Sequence, residues 1–243
     1  MSITIQTNQT DANQHARFVR SPGERGPHTI PRKREVNHRF HRIFSIKAGS
    51  RIVVAESQLE ADAIFWAEGN PDIMTLTEQP MRIMGSLGTK PYVTLDLGVV
   101  CQSGEEIFYE IKPESQLTQS DDGRQLPPHW RSIEAWCDAN GHRCELLTDA
   151  QLSADATLIG NWRALLGLAR VAAEVNDTSL IDHVLQVISD YPHLCLDQLM
   201  SHVANQSETD VTACCALLLH RGEIEAQLHQ SVFTRYTSMS IRP

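Results

Sequence analysis

The stretch Tyr92 to Lys112, YVTLDLGVVCQSGEEIFYEIK, constrains this chain more than any other, because it alternates as a β-hairpin does and carries three charged groups. Two runs of apolar and β-branched residues, Val93 to Val100 and Ile107 to Ile111, flank the turn-prone Gln102-Ser103-Gly104. A turn centred near Ser103 pairs Leu95 with Ile111, Leu97 with Tyr109 and Val99 with Ile107 on an apolar face. The opposite face then sets Asp96 against Glu110, with Lys112 two residues along the same strand. Two carboxylates and one amine are thereby gathered. An Asp followed at loose spacing by Glu-x-Lys also occurs on surface hairpins with a cross-strand ion pair, so the neighbouring elements decide its meaning.

Ahead of the hairpin, Ser57-Gln58-Leu59-Glu60 opens a helix in which Leu59, Ala63, Trp66 and Ala67 recur at helical spacing until Gly69-Asn70-Pro71. Leu59 and Trp66 are predicted to face the core. Ser57 and Glu60 have capping-box spacing, in which the acid reaches back to the Ser57 backbone N–H. Glu56 and Glu60 lie four apart, so either can instead project toward the hairpin. Ile73 to Met84 reads as a strand interrupted at Gln79-Pro80, since proline cannot donate to a ladder. After a polar loop, a helix from about His129 to Ala139 turns Trp130, Ile133, Trp136 and Cys137 to one face and closes at Asn140-Gly141. A strand, Arg143 to Leu147, follows. This order predicts an α/β core with helices on both sides of a mixed sheet.

Beyond Ala150 the pattern is helical: Thr157 to Glu174, Thr178 to Tyr191, Leu196 to Ala204 and Glu208 to His220. Two β-prone runs, Gly222 to Leu228 and Val232 to Ile241, end the chain. Three short helices and a two-stranded tail outline a winged helix, a module that contacts DNA or protein. Residues 1 to about 37 read as an extension of little periodicity, and Arg42 to Val54 as a small hairpin around Gly49-Ser50. The divisions are therefore a basic arm with its lead-in hairpin (1–52), an α/β domain (53–150) and a helical, winged-helix-like domain (151–243).

Charge sharpens this division. The net −9 splits into +7 for residues 1–52, −11 for 53–150 and −5 for 151–243. Such an arm is either a solvated tail or a phosphate-neutralising one, the DNA-binding candidates being Arg32, Lys33, Arg34, Arg39 and Arg42. No apolar leader follows Met1, and the longest apolar run, Ala213 to Leu219, is too short to span a bilayer, so a cytoplasmic protein with no membrane partner is expected. The six cysteines show neither CxxC nor zinc-site spacing, and reduced thiols are expected.

Hydrolysis of a phosphodiester needs an activated water, charge neutralised on the phosphate and a stabilised leaving oxygen. Carboxylates holding one or two Mg²⁺ supply these, and an adjacent lysine orients the water or offsets phosphate charge. Helix Glu, strand Asp, Glu-x-Lys on the next strand and then a helix together resemble the PD-(D/E)xK restriction-endonuclease-like superfamily. More narrowly, ESQLEADAIFWAEGNPDIMTLTEQP followed by VTLDL and EIKPES is similar to the TnsA endonuclease subunit of heteromeric transposases, from about Arg51 to Asp149.

The resemblance implies a restriction-endonuclease-like fold with catalytic and metal-holding acids at Glu60, Asp96 and Glu110 and the catalytic lysine at Lys112. Some family members carry Gln at the position of Glu110. It also implies Mg²⁺, with Mn²⁺ as a substitute, and cleavage of the 5′ ends of a transposon in double-stranded DNA within a bacterial cell. A DDE transposase would cut and join the 3′ ends, and an AAA+ ATPase would regulate the assembly. The alternatives are a restriction or repair nuclease of the same fold, or a catalytically inactive assembly adaptor.

Overall fold

The computed structural model describes residues 40–84, 92–203 and 205–243. Arg32, Lys33, Arg34 and Arg39 lie outside the described residues. The central hairpin forms from β6 (Leu97–Cys101) and β7 (Glu106–Lys112), with Leu97 opposite Tyr109 and Val99 opposite Ile107, the expected register. Gly104, at φ +83°, gives the turn a backbone conformation that residues with a Cβ rarely adopt. Antiparallel β3 (Ile73–Glu78) joins β6, and parallel β10 (Arg143–Thr148) joins β7, which makes a mixed four-stranded sheet in the order β10-β7-β6-β3.

One expectation fails at the end of this sheet. The Leu95–Ile111 rung does not form, because the chain bends at Asp96 and Leu95 N–H bonds the Met81 carbonyl at 3.0 Å. The stretch Ile73 to Met84 is interrupted at Gln79-Pro80 as read, and its two parts lie in separate sheets. After β3, Gln79 takes φ +46° ahead of Pro80, and β4 (Arg82–Met84) pairs with β5 (Tyr92–Thr94) instead. Leu95 therefore leaves the face of Leu97 and Val99, and packs with Ile83, Phe108, Leu126 and Ile133.

Both faces of β7 are covered. Tyr109 and Ile111 pack into the cluster that contains Ala61, Ala63, Ile64 and Ala67 of α1 (Gln58–Gly69). Phe108, on the other face, meets Trp130, Ile133 and Cys137 of α2 (Trp130–Asn140). In the loop between β7 and α2, β8 (Thr118–Gln119) and β9 (Gln125–Leu126) form a two-rung ladder. Helices thus lie on both sides of the mixed sheet, as the element order predicts. Leu59 and Trp66 pack against the core as expected, though each is only half-buried. Trp66 sits at the rim, edge-on to Tyr109 with ring centroids 5.6 Å apart, and its indole N–H donates to Asp155 at 3.1 Å.

The lead-in hairpin, β1 (His41–Ser45) and β2 (Arg51–Ala55), forms as read, with Arg42 exposed on β1. After β10 come α3 (Asp149–Ala154), α4 (Ala156–Val175), α5 (Thr178–Asp190), β11 (Leu194–Cys195), α6 (Leu196–His202), α7 (Glu208–Arg221), β12 (Ile224–Glu225) and β13 (Ser238–Ile241). The last strands form an antiparallel sheet in the order β11-β13-β12. The expected helices are present; α3 and β11 are additions. Six and two residues respectively are too short for periodicity to register, although Thr148 and Gln151 form a capping box at the start of α3.

The buried core runs without a break across residue 150. Trp162, Leu165 and Leu166 of α4 and Leu217 of α7 join the cluster that holds Ala63, Ala67 and Tyr109. At Gly69 the approach is so close that a Cβ would lie 2.1 Å from Trp162 Cδ1. Beside it the fully buried Glu68 accepts hydrogen bonds from the Ser45 hydroxyl and the Lys47 N–H (3.3 Å), and pairs with His220 Nε2 of α7 at 2.6 Å. The Lys47 ammonium donates to the Ala67 and Asn70 carbonyls at 2.9 and 2.5 Å, closing the end of α1. Burial pushes Lys47 down to about 8 against the attraction of Glu68 and Asp72. No described helix is long and apolar enough to cross a membrane, and all six cysteines are free thiols.

Candidate active site

The bend at Asp96 both ends the ladder and builds the site. Ile111 N–H donates to Asp96 Oδ2 at 2.8 Å in place of a strand carbonyl. The same oxygen accepts from Lys112 Nζ at 2.8 Å, and that ammonium also lies 2.7 Å from Glu110 Oε1 and donates to the Ile111 carbonyl at 3.1 Å. All three lysine donors are thus placed. Asp96, Glu110 and Lys112 come together as the alternation predicts, but through the Ile111 peptide and not through a paired Asp96–Glu110 rung.

Glu110 is the most enclosed member, 1% exposed at its side chain. Its Oε1 meets a second donor, His129 Nε2, at 2.8 Å, while its buried Oε2 has no hydrogen-bond partner. Two carboxylates beside one ammonium leave an excess negative charge in an enclosed place. Burial, reinforced by Glu110, pushes Asp96 up to about 7 against the pull of Lys112 and the Ile111 N–H. For Lys112 burial is the largest influence and acts downward, but Asp96 and Glu110 together hold it above its ordinary value.

Glu60 takes the capping geometry. Ser57, the N-cap of α1, accepts from Glu60 N–H at 3.1 Å. The Glu60 carboxylate in turn accepts from the Ser57 hydroxyl at 3.0 Å and the Glu56 N–H at 2.8 Å, one residue beyond the expected Ser57 N–H. Glu60 is not hydrogen-bonded to Asp96 or Glu110. It does share with Lys112, Ser57, Gln58, Gln116 and Arg163 the wall of a cleft of about 730 Å³. The acid that reaches toward the hairpin is Glu56, just ahead of α1. It accepts from Gln79 Nε2 at 3.0 Å, and Gln79 N–H bonds the Asp96 carbonyl at 2.9 Å.

Among the described residues, no three His, Cys, Asp or Glu side chains converge closely enough to hold a metal ion as a group. A divalent cation nevertheless suits the Asp96–Glu110 pair. Mg²⁺ takes one or two carboxylates and fills its other positions with water and phosphate oxygens, and a buried carboxylate oxygen with no donor is an acceptor awaiting a partner. His129 is the residue that sequence reading misses. It stands directly ahead of α2, and nothing local announces that α2 folds back over β7. The chain matches no protein-family model and no curated protein.

Proposed function

We propose that this protein is a Mg²⁺-dependent DNA endonuclease of restriction-endonuclease-like fold that cuts the 5′ ends of a transposon, alongside a DDE transposase and an AAA+ regulator. The observation that carries this reading is the enclosed Asp96–Glu110–Lys112 cluster, in which Glu110 Oε2 has no donor. Asp96 and Glu110 would hold the cation. When bound, the cation supplies charge that polarises the phosphodiester and lowers the cost of activating water. Lys112 turns from the carboxylates to the phosphate or to the attacking water, and the closed faces of β7 limit solvent at the acids.

The segment 178–241 has the helix and strand order of a winged helix, which supports that finer reading. Its last helix, α7, is buried from Ala213 to His220 against the rest of the core, so that face does not enter a DNA groove. The module's exposed surfaces therefore fit protein contacts within the assembly better than base reading. DNA engagement falls to the N-terminal arm, of which Arg42 lies within the described residues.

The test combines the protein with its partner transposase, element-end DNA and Mg²⁺, and maps breaks on both strands. Asp96→Ala and Lys112→Ala each abolish the 5′-end cuts, a fall of at least about 100-fold, on the order of a lost electrostatic catalytic group, and leave 3′-end cutting intact. Undiminished 5′ cutting in both variants removes the site.

A further inference from the structure

We infer that His129 is a positioning residue for Glu110, holding one carboxylate oxygen so that the other faces a divalent cation. The inference rests on the cation-binding reading of the site. His129 Nε2 lies 2.8 Å from Glu110 Oε1, the oxygen that Lys112 also contacts, and Oε2 is left without a donor. The two donors have different obligations. Lys112 divides its ammonium among Asp96, Glu110 and the Ile111 carbonyl, and in the proposed reaction it turns toward phosphate or water. His129 then remains as the donor that fixes Oε1.

The imidazole is well placed for this task. It directly precedes α2, whose Trp130 and Ile133 are 5% and 0% exposed and pack with Phe108, two residues from Glu110 on β7. The helix anchors the ring over the acid. Its side chain is 32% exposed against 1% for Glu110, so the ring stands between the buried carboxylate and solvent. A neutral imidazole protonated at Nε2 and an imidazolium both donate from Nε2, so the role needs no change of charge. Partners of this kind, which hold a ligand without touching the metal, typically change metal affinity or activity by about 10–100-fold when lost.

Titration of the purified full-length protein with Mn²⁺, following the free-ion signal by electron paramagnetic resonance, tests this without reference to turnover. His129→Ala weakens Mn²⁺ binding by about 10-fold or more, and His129→Gln, whose amide also donates, recovers most of it. With transposase and element-end DNA, His129→Ala lowers kcat for 5′ cutting and leaves KM for DNA unchanged. Wild-type Mn²⁺ affinity in a folded His129→Ala variant overturns the inference, as does failure of His129→Gln to recover binding. Should the alanine variant not fold, His129→Gln and His129→Leu are compared at matched melting temperature, and equal affinity overturns it. Histidine-dependent Mn²⁺ binding without any DNA cleavage sinks the endonuclease reading alone. Cleavage with unaltered Mn²⁺ affinity in His129→Ala sinks the positioning role alone.

Discussion

At the scale of single residues, Asp96 carries the clearest cost. Its carboxyl is raised to about 7 from an ordinary 3.8, so the folded protein binds the more protons between these values. The stabilisation from holding that proton is fully present below pH 3.8 and is lost as pH rises through 7. Asp96→Asn keeps an oxygen for the Ile111 N–H and Lys112, removes the buried charge and leaves Lys112 its Glu110 partner. In the absence of metal it is expected to exceed the wild type in stability at pH 8 by on the order of 1–4 kcal/mol, a gap that closes toward pH 4. Denaturant unfolding at the two pH values measures it; an equal gap at both contradicts the assignment. Glu60 illustrates the opposite outcome, since the capping-box spacing of Ser57 and Glu60 is legible in the sequence and the structure fulfils it with the Glu56 N–H in place of the Ser57 N–H. His129 was illegible because its contact with Glu110 spans nineteen positions and depends on how α2 docks.

Elements were legible wherever a periodic pattern ran long enough between turn signals. The β6–β7 register followed from the Gln102-Ser103-Gly104 turn, and the long helices followed from their apolar stripes. What escaped was set by tertiary partners: the bend at Asp96, the division of residues 73–84 between two sheets, and the two-residue β11 that exists only because β13 returns to it. Gly69 belongs here too, because the sequence shows it only as a helix terminator. In the structure it is also the point where α1 admits the Trp162 ring. A methyl group there must displace the indole, so Gly69→Ala is expected to cost about 1–3 kcal/mol and to lower the melting temperature by several degrees. Thermal melting checks this, and an unchanged melting temperature removes the proposed tightness of the α1–α4 contact.

For the molecule as a whole, charge divides the chain more sharply than packing does. One buried cluster spans the lead-in hairpin, α1, the sheet and α4 to α7, and Glu68 bonds residues from the first strand and the last long helix together. Calorimetry of the full chain is accordingly expected to show one transition, and a fragment covering residues 40–150 none, since it bares the α1 surface that Trp162 covers and removes His220 from Glu68. Two separate transitions in the full chain contradict this. The rung that Asp96 makes to Ile111 has a consequence for descent as well. An asparagine there accepts the same N–H, so the fold does not need the acid that the proposed chemistry would need. If the proposed cutting is real, a lineage of such proteins could lose it by one substitution and keep its shape, which would leave a scaffold free to be selected for what it holds together.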